Sequence, residues 1–165
     1  MEFTTFVPDI LAAVLAASLF AFLFFLVREK CFGIPDVTGK WYFEIRTDSS
    51  LYNPYIGMVL RFVAIIWRDG NRLSGTTEKI YENSRNGERS FIGKYRTRGT
   101  IDGYYEQRYF SKMDRVTFHL IEQGHGRQST YYFDLEMSKT EDPTGEFSSM
   151  IADQIGTCRW QRKPF

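Results

Sequence analysis

The chain has 165 residues, with 21 Lys and Arg against 20 Asp and Glu and a formal net charge of +1. So even a balance gives no electrostatic footprint for a DNA or RNA polymer, and two cysteines are too few for a disulfide framework or a metal cluster. Aromatic residues reach 17%, with ten Tyr, fifteen Phe and three Trp, a composition that favours strands.

Residues Ile10 to Val27 are apolar throughout except for Ser18. As a helix they would run roughly 27 Å, about the hydrocarbon thickness of a bilayer. A secretory signal peptide also begins with an apolar run, but it carries basic residues before it and a small-x-small cleavage site after it. Here Glu2 and Asp9 precede the run without any Lys or Arg, and Arg28-Glu29-Lys30-Cys31-Phe32 follows it. The expectation is a retained anchor over residues 1–30, spanning about 10–27, a linker over 31–38 and a soluble domain over 39–165. Arg28 and Lys30 place that domain in the cytoplasm by the positive-inside rule. Ala13, Ala17 and Ala21 recur at helical spacing and form a small-residue face on which helices could associate, although alanine is also simply a good apolar helix former.

Beyond the anchor the period is two. Trp41, Phe43 and Ile45 alternate with Lys40, Tyr42, Glu44 and Arg46, and Gly57 to Trp67 is a nearly continuous apolar run. Arg68-Asp69-Gly70-Asn71 reads as a hairpin turn into Leu73–Tyr81. Tyr95 to Tyr109 reads as a long strand or a pair punctuated at Asp102-Gly103. Arg115–Gln123 and Gln128–Met137 flank Gly124-His125-Gly126-Arg127. The turn Asp142-Pro143-Thr144-Gly145 leads to short strands at Phe147–Met150 and Gly156–Gln161. Seven or eight strands joined mostly by short turns predict an all-β domain, an eight-stranded antiparallel meander barrel that closes on itself to remove exposed edges.

The sequence has no nucleophile elbow, zinc-protease motif, phosphate loop or dinucleotide fingerprint, so no catalytic chemistry, metal or cofactor is expected. His119 and His125 read as a strand-face residue and a turn residue. Arg85, Arg89, Lys94, Arg96 and Arg98 fall close together with only Glu88 among them, followed by Tyr104, Tyr105, Arg108 and Tyr109. Arginine forks bind phosphate, and tyrosine offers a flat face to a base. Solvent-facing strand residues, or contacts with anionic lipid headgroups, explain the same cluster. Arg61 interrupts an apolar strand and is expected to be paired or to face a polar cavity. Arg61, Arg96, Arg98 and Tyr105 are therefore the candidate ligand-binding residues.

An N-terminal membrane segment, a short basic linker, a strand opened by Gly39-Lys40-Trp41 and a barrel follow in order. That layout resembles the transmembrane β-barrel effectors of bacterial antiphage cyclic-oligonucleotide signalling (CBASS), the CD-NTase-associated protein 15 group, whose barrels are lipocalin-like. Those effectors typically carry two membrane helices, whereas this chain shows one. The resemblance implies a barrel that binds a cyclic nucleotide and an anchor that forms a homo-oligomer and disrupts the inner membrane. The competing expectation is a passive anchored module with a greasy lumen for an apolar ligand, or one that scaffolds a protein partner. The two readings differ in cavity lining, since a nucleotide sensor needs convergent cations and hydrogen-bond donors.

Overall fold

The structure is a computed structural model that describes residues 3–31, 35–108, 113–124, 126–138 and 142–165. It divides into two units, residues Met1–Ile34 and Pro35–Phe165. The first is a single helix, α1 (Phe3–Cys31). Its segment Pro8–Val27 is long and apolar enough to cross a membrane, and each of its side chains is exposed within the unit. A helix that is apolar all round is suited to an apolar solvent rather than to one packed face. The one hydroxyl within Pro8–Val27 is satisfied internally, with Ser18 Oγ donating to the Val14 carbonyl at 2.8 Å.

In the second unit the alternating segments become strands β1 (Gly39–Ser49), β2 (Val59–Asp69), β3 (Arg72–Ser84), β4 (Gly87–Ser90), β5 (Arg98–Glu106), β6 (Asp114–Gln123), β7 (Gln128–Met137), β8 (Thr144–Ser149) and β9 (Gln154–Gln161). Eight of them form the expected closed antiparallel meander, in the order β1-β2-β3-β5-β6-β7-β8-β9 and back to β1. The ninth, β4, hangs on the end of β3 as a flap, from Tyr81 opposite Ser90 to Ser84 opposite Gly87. Closure pairs Tyr42 with Gln161 and Ile45 with Cys158, leaving no free edge in the ring.

Period-two alternation sends one face of every strand inward. Trp41, Phe43, Phe62, Phe118, Phe133, Phe147 and Trp160 fill the interior, with Phe118 stacked on Phe133 at 4.5 Å and Phe43 on Phe62 at 4.9 Å. The end at which the chain enters is plugged. Trp41 Nε1 donates to the Val37 carbonyl at 2.9 Å, and the Arg162 guanidinium lies 3.8 Å from the centre of the Trp41 ring. Arg162 also donates to the carbonyls of Lys40 and Asp36, at 3.0 and 2.7 Å. Every buried apolar side chain of the core lies between Val37 and Trp160. Residues 35–165 thus carry their own core and a closed hydrogen-bonded sheet, and they are expected to fold without α1, which a cooperative thermal transition of that segment alone checks.

Of the two readings open for Tyr95 to Tyr109, a long strand or a pair, Arg98–Glu106 is one continuous strand, β5, in which Gly103 serves a close approach rather than a turn. A Cβ there would stand 2.2 Å from the Thr117 carbonyl oxygen. Likewise Thr144 and Gly145 belong to β8, not to a turn, and a Cβ at Gly145 would meet the Asp134 carbonyl oxygen at 2.0 Å. Gly156 is tighter still, at 1.9 Å from the Arg46 carbonyl oxygen and 2.7 Å from Phe147. Gly156→Ala is expected to cost about 3 kcal/mol, since the β1–β9 ladder cannot open without unpairing the barrel. Urea unfolding of the barrel measures it.

Ion pairs decorate the outer wall. Arg115 on β6 holds Asp134 on β7, and its N–H donors keep that carboxyl below the usual carboxylate range, against some desolvation. Because the folded-state pKa is depressed, this stabilisation is present above the ordinary aspartate pKa and is lost as pH falls through the folded one. Asp134→Asn is expected to flatten that acid limb of a stability–pH profile.

Candidate functional site

At the end of the barrel away from the plug, four connections surround an opening: residues 50–58, the β4 flap with residues 91–97, the β6–β7 turn, and the β8–β9 turn. The opening leads into a cup of about 1000 Å³.

Its floor is charged, and the local backbone explains why. Along β3 the register jumps, with Arg61 opposite Tyr81 but Phe62 opposite Lys79. The extra residue, Ile80, makes a bulge that resets the alternation. Lys79 therefore points inward with Phe62, and Glu82 points inward with Leu60, three residues apart in a strand. Two strands further round the ring, β6 contributes Val116, Phe118, Leu120 and then Glu122 at successive inward positions. Glu122 is only 2% exposed. Lys79 Nζ lies 3.0 Å from Glu122 Oε1 and 3.4 Å from Glu82 Oε2. Thr97 Oγ1 also donates to Glu122 Oε1, and the Tyr131 hydroxyl donates to Oε2 at 3.4 Å. Burial, and then the charge of Glu122, push the Tyr131 phenol well above its ordinary value, so it remains a protonated donor. Beside this group Thr47 Oγ1 donates to Gln154 Oε1 at 3.1 Å.

The walls and rim are different. Met58, Leu60, Phe91 and Tyr95 supply apolar and aromatic surface, and Lys79 Nζ sits 5.3 Å from the Phe91 ring centre. Arg89 and Arg127 bring cations to the rim, and Arg127 donates to the Tyr55 hydroxyl at 3.0 Å. The cup can thus bind a polar group at its floor, flat apolar surface along its wall and an anion at its edge.

None of the residues expected from the sequence to bind ligand lines this cup. Arg61 faces outward, not into the barrel, because Leu60, Phe62, Ala64 and Ile66 occupy the inward phase of β2. It pairs with Glu44 at 2.6 Å and lies 4.6 Å from the Tyr81 ring centre. The feature out of place on that strand is the outward apolar pair Ile65 and Trp67. Arg96 and Arg98 come together, but on the outer wall and around Glu78, at 3.0 and 3.8 Å. Tyr105 is 1% exposed and lies inside the plugged end, with its hydroxyl on Asp114 and Arg68 5.6 Å from its ring centre. His119 faces outward beside Tyr132. His125 and Tyr109 lie outside the described residues.

Sequence reasoning missed Lys79, Glu82 and Glu122. The signal for Glu122 was present, as the fourth inward position after Val116, Phe118 and Leu120. No period-two pattern could place Lys79 and Glu82 on one face. Among the described residues no group of three or more His, Cys, Asp or Glu could hold a metal ion. Comparison with protein-family models, with curated proteins and with solved structures finds no match to the chain.

Proposed function

We propose that this protein is a membrane-anchored sensor whose barrel takes one small polar ligand in its mouth. The observation that carries this reading is the open cup with a buried Lys79–Glu122 pair at its floor. A cavity near 1000 Å³ is at the upper end of small-ligand sites, large enough for a dinucleotide. A purely apolar occupant would leave Lys79 and Glu82 against hydrocarbon, a costly arrangement, so the passive greasy-lumen alternative fits less well.

A cyclic nucleotide matches the cup part by part. Its phosphates find Arg89 and Arg127, its bases find Phe91 and Tyr95, and a base edge finds the donors and acceptors of Lys79 and Glu82. In this reading the helix lies in the inner membrane, the barrel faces the cytoplasm, and ligand binding is coupled to association of helices through Ala13, Ala17 and Ala21. The associated helices then disrupt the bilayer, an antiphage role. Ala17→Leu, which adds bulk at the centre of that face, should weaken association in detergent and reduce toxicity while the barrel stays folded.

Calorimetry on residues 35–165 with a panel of cyclic dinucleotides tests the ligand directly. Binding is expected to weaken roughly ten- to hundredfold in Arg127→Ala, the loss of one charged hydrogen bond, and to be unchanged in Arg61→Ala. Failure of every panel member to bind overturns the nucleotide reading.

A further inference from the structure

The cup sorts its charges by depth. At the floor Lys79 brings one formal positive charge against the two negative charges of Glu82 and Glu122, whereas Arg89 and Arg127 give the rim two positive ones. A phosphate is therefore drawn to the rim and repelled from the floor, and a group rich in hydrogen-bond donors is drawn to the floor. The two floor carboxylates are not equivalent. Glu122 is committed within the protein, with Lys79 and Thr97 on Oε1 and the Tyr131 hydroxyl on Oε2. Glu82 is 24% exposed and meets Lys79 through Oε2 at 3.4 Å, while its Oε1 has no partner among the described residues. Each carboxylate oxygen has two lone pairs, so both oxygens of Glu82 can still accept. Lys79 spends two of its three N–H donors on these acids and keeps one.

The bulge at Ile80 sets these groups side by side, because it turns Lys79 and Glu82 to the same face of β3. The part of the floor left for a ligand thus reads donor, acceptor, acceptor: one N–H of Lys79 and then the two oxygens of Glu82. Its complement is an edge that reads acceptor, donor, donor. Guanine presents that order in O6, N1–H and N2–H. Adenine offers a donor beside an acceptor, cytosine a donor beside two acceptors, and uracil a donor between two acceptors. None of these three fills both oxygens of Glu82. An amidinium has the paired donors but nothing for Lys79 to donate to. We infer that the cup selects a guanine, with O6 on Lys79, N1–H and N2–H on Glu82, and the phosphates left at Arg89 and Arg127. Glu82 is then the residue that sets base specificity. The inference rests on the sensor reading and deepens it by naming the base.

The full chain in detergent is titrated calorimetrically with three cyclic dinucleotides, bearing only guanine, only hypoxanthine or only adenine. Hypoxanthine keeps O6 and N1–H and lacks the N2 amine, so the first two ligands isolate one hydrogen bond to Glu82. The guanine ligand is expected to bind tightest. The hypoxanthine ligand should bind about tenfold weaker or more, the loss of one hydrogen bond to a charged group. In Glu82→Ala the guanine ligand weakens by at least as much, and the gap between guanine and hypoxanthine closes, since nothing is left to read the amine. Circular dichroism confirms that the variant is folded, and Glu82→Gln, in which the gap is expected to narrow, takes its place if it is not. Equal binding of the guanine and hypoxanthine ligands, or tighter binding of the adenine ligand, overturns the guanine assignment and leaves the sensor reading standing. So does a guanine–hypoxanthine gap that survives unchanged in the folded Glu82 variant. Binding of none of the three overturns the nucleotide reading itself, and this inference falls with it.

Discussion

Phe133→Ala is expected to destabilise the barrel by about 3–5 kcal/mol, the upper range for an aromatic truncation in a packed core. Phe133 is fully buried near the middle of β7. Its ring stacks on Phe118 at 4.5 Å, meets Phe43 edge-on at 5.8 Å and lies 6.1 Å from Phe147. These rings come from β6, β1 and β8, so one side chain ties together strands on both sides of the interior. Closed hydrogen bonding around the ring keeps the backbone from collapsing into the void, which places the cost at the high end rather than near the transfer value alone. Chemical denaturation of residues 35–165 measures it. A loss under about 1.5 kcal/mol would mean that the rings do not pack as described.

The second large effect concerns charge. Lys79→Met is expected to cost about 3 kcal/mol, because Glu122 then stays buried with only the hydroxyls of Thr97 and Tyr131 as donors and with Glu82 nearby. Lys79→Met/Glu122→Gln should recover most of that loss, since an amide keeps the shape, accepting from one hydroxyl through its oxygen and donating to the other through its NH2. A four-member cycle of unfolding free energies therefore shows strong coupling, on the order of 1.5 kcal/mol or more. Strict additivity would show that the pair carries no energy and remove the reason to regard the floor as pre-organised. The same variants separate stability from binding. The double variant is folded yet presents an apolar and amide floor, so a ligand that reads the ammonium loses affinity in it.

What the sequence revealed follows from how locally each feature is encoded. Alternation located β7 at its observed limits, Gln128–Met137, and the Asp69-Gly70 turn located the β2–β3 hairpin, because both signals are complete within a few residues. Gly103 leaves a long strand and a pair both open, because a glycine marks either a turn or a close approach and only the neighbouring strand decides between them. Arg61 in an apolar run reads as paired or as facing a polar cavity, and strand phase decides between the two: it lies on the outside, paired with Glu44. The β4 flap and the cup depend on the bulge at Ile80, a single inserted residue whose effect is visible only once β2 and β3 are paired.

The β1–β9 ladder has a consequence in time. Every other pairing in the ring joins strands close in sequence, but Tyr42 must wait for Gln161. On a growing chain the helix and the first strands leave the ribosome long before the last strand exists, and until then β1 and β8 are open edges able to recruit other chains. Loop closure over that separation makes the final strand the slow step of folding. A chain ending before Gln154 would be not a smaller barrel but an open sheet prone to aggregate, so the last eight-residue strand serves the others chiefly as their protection.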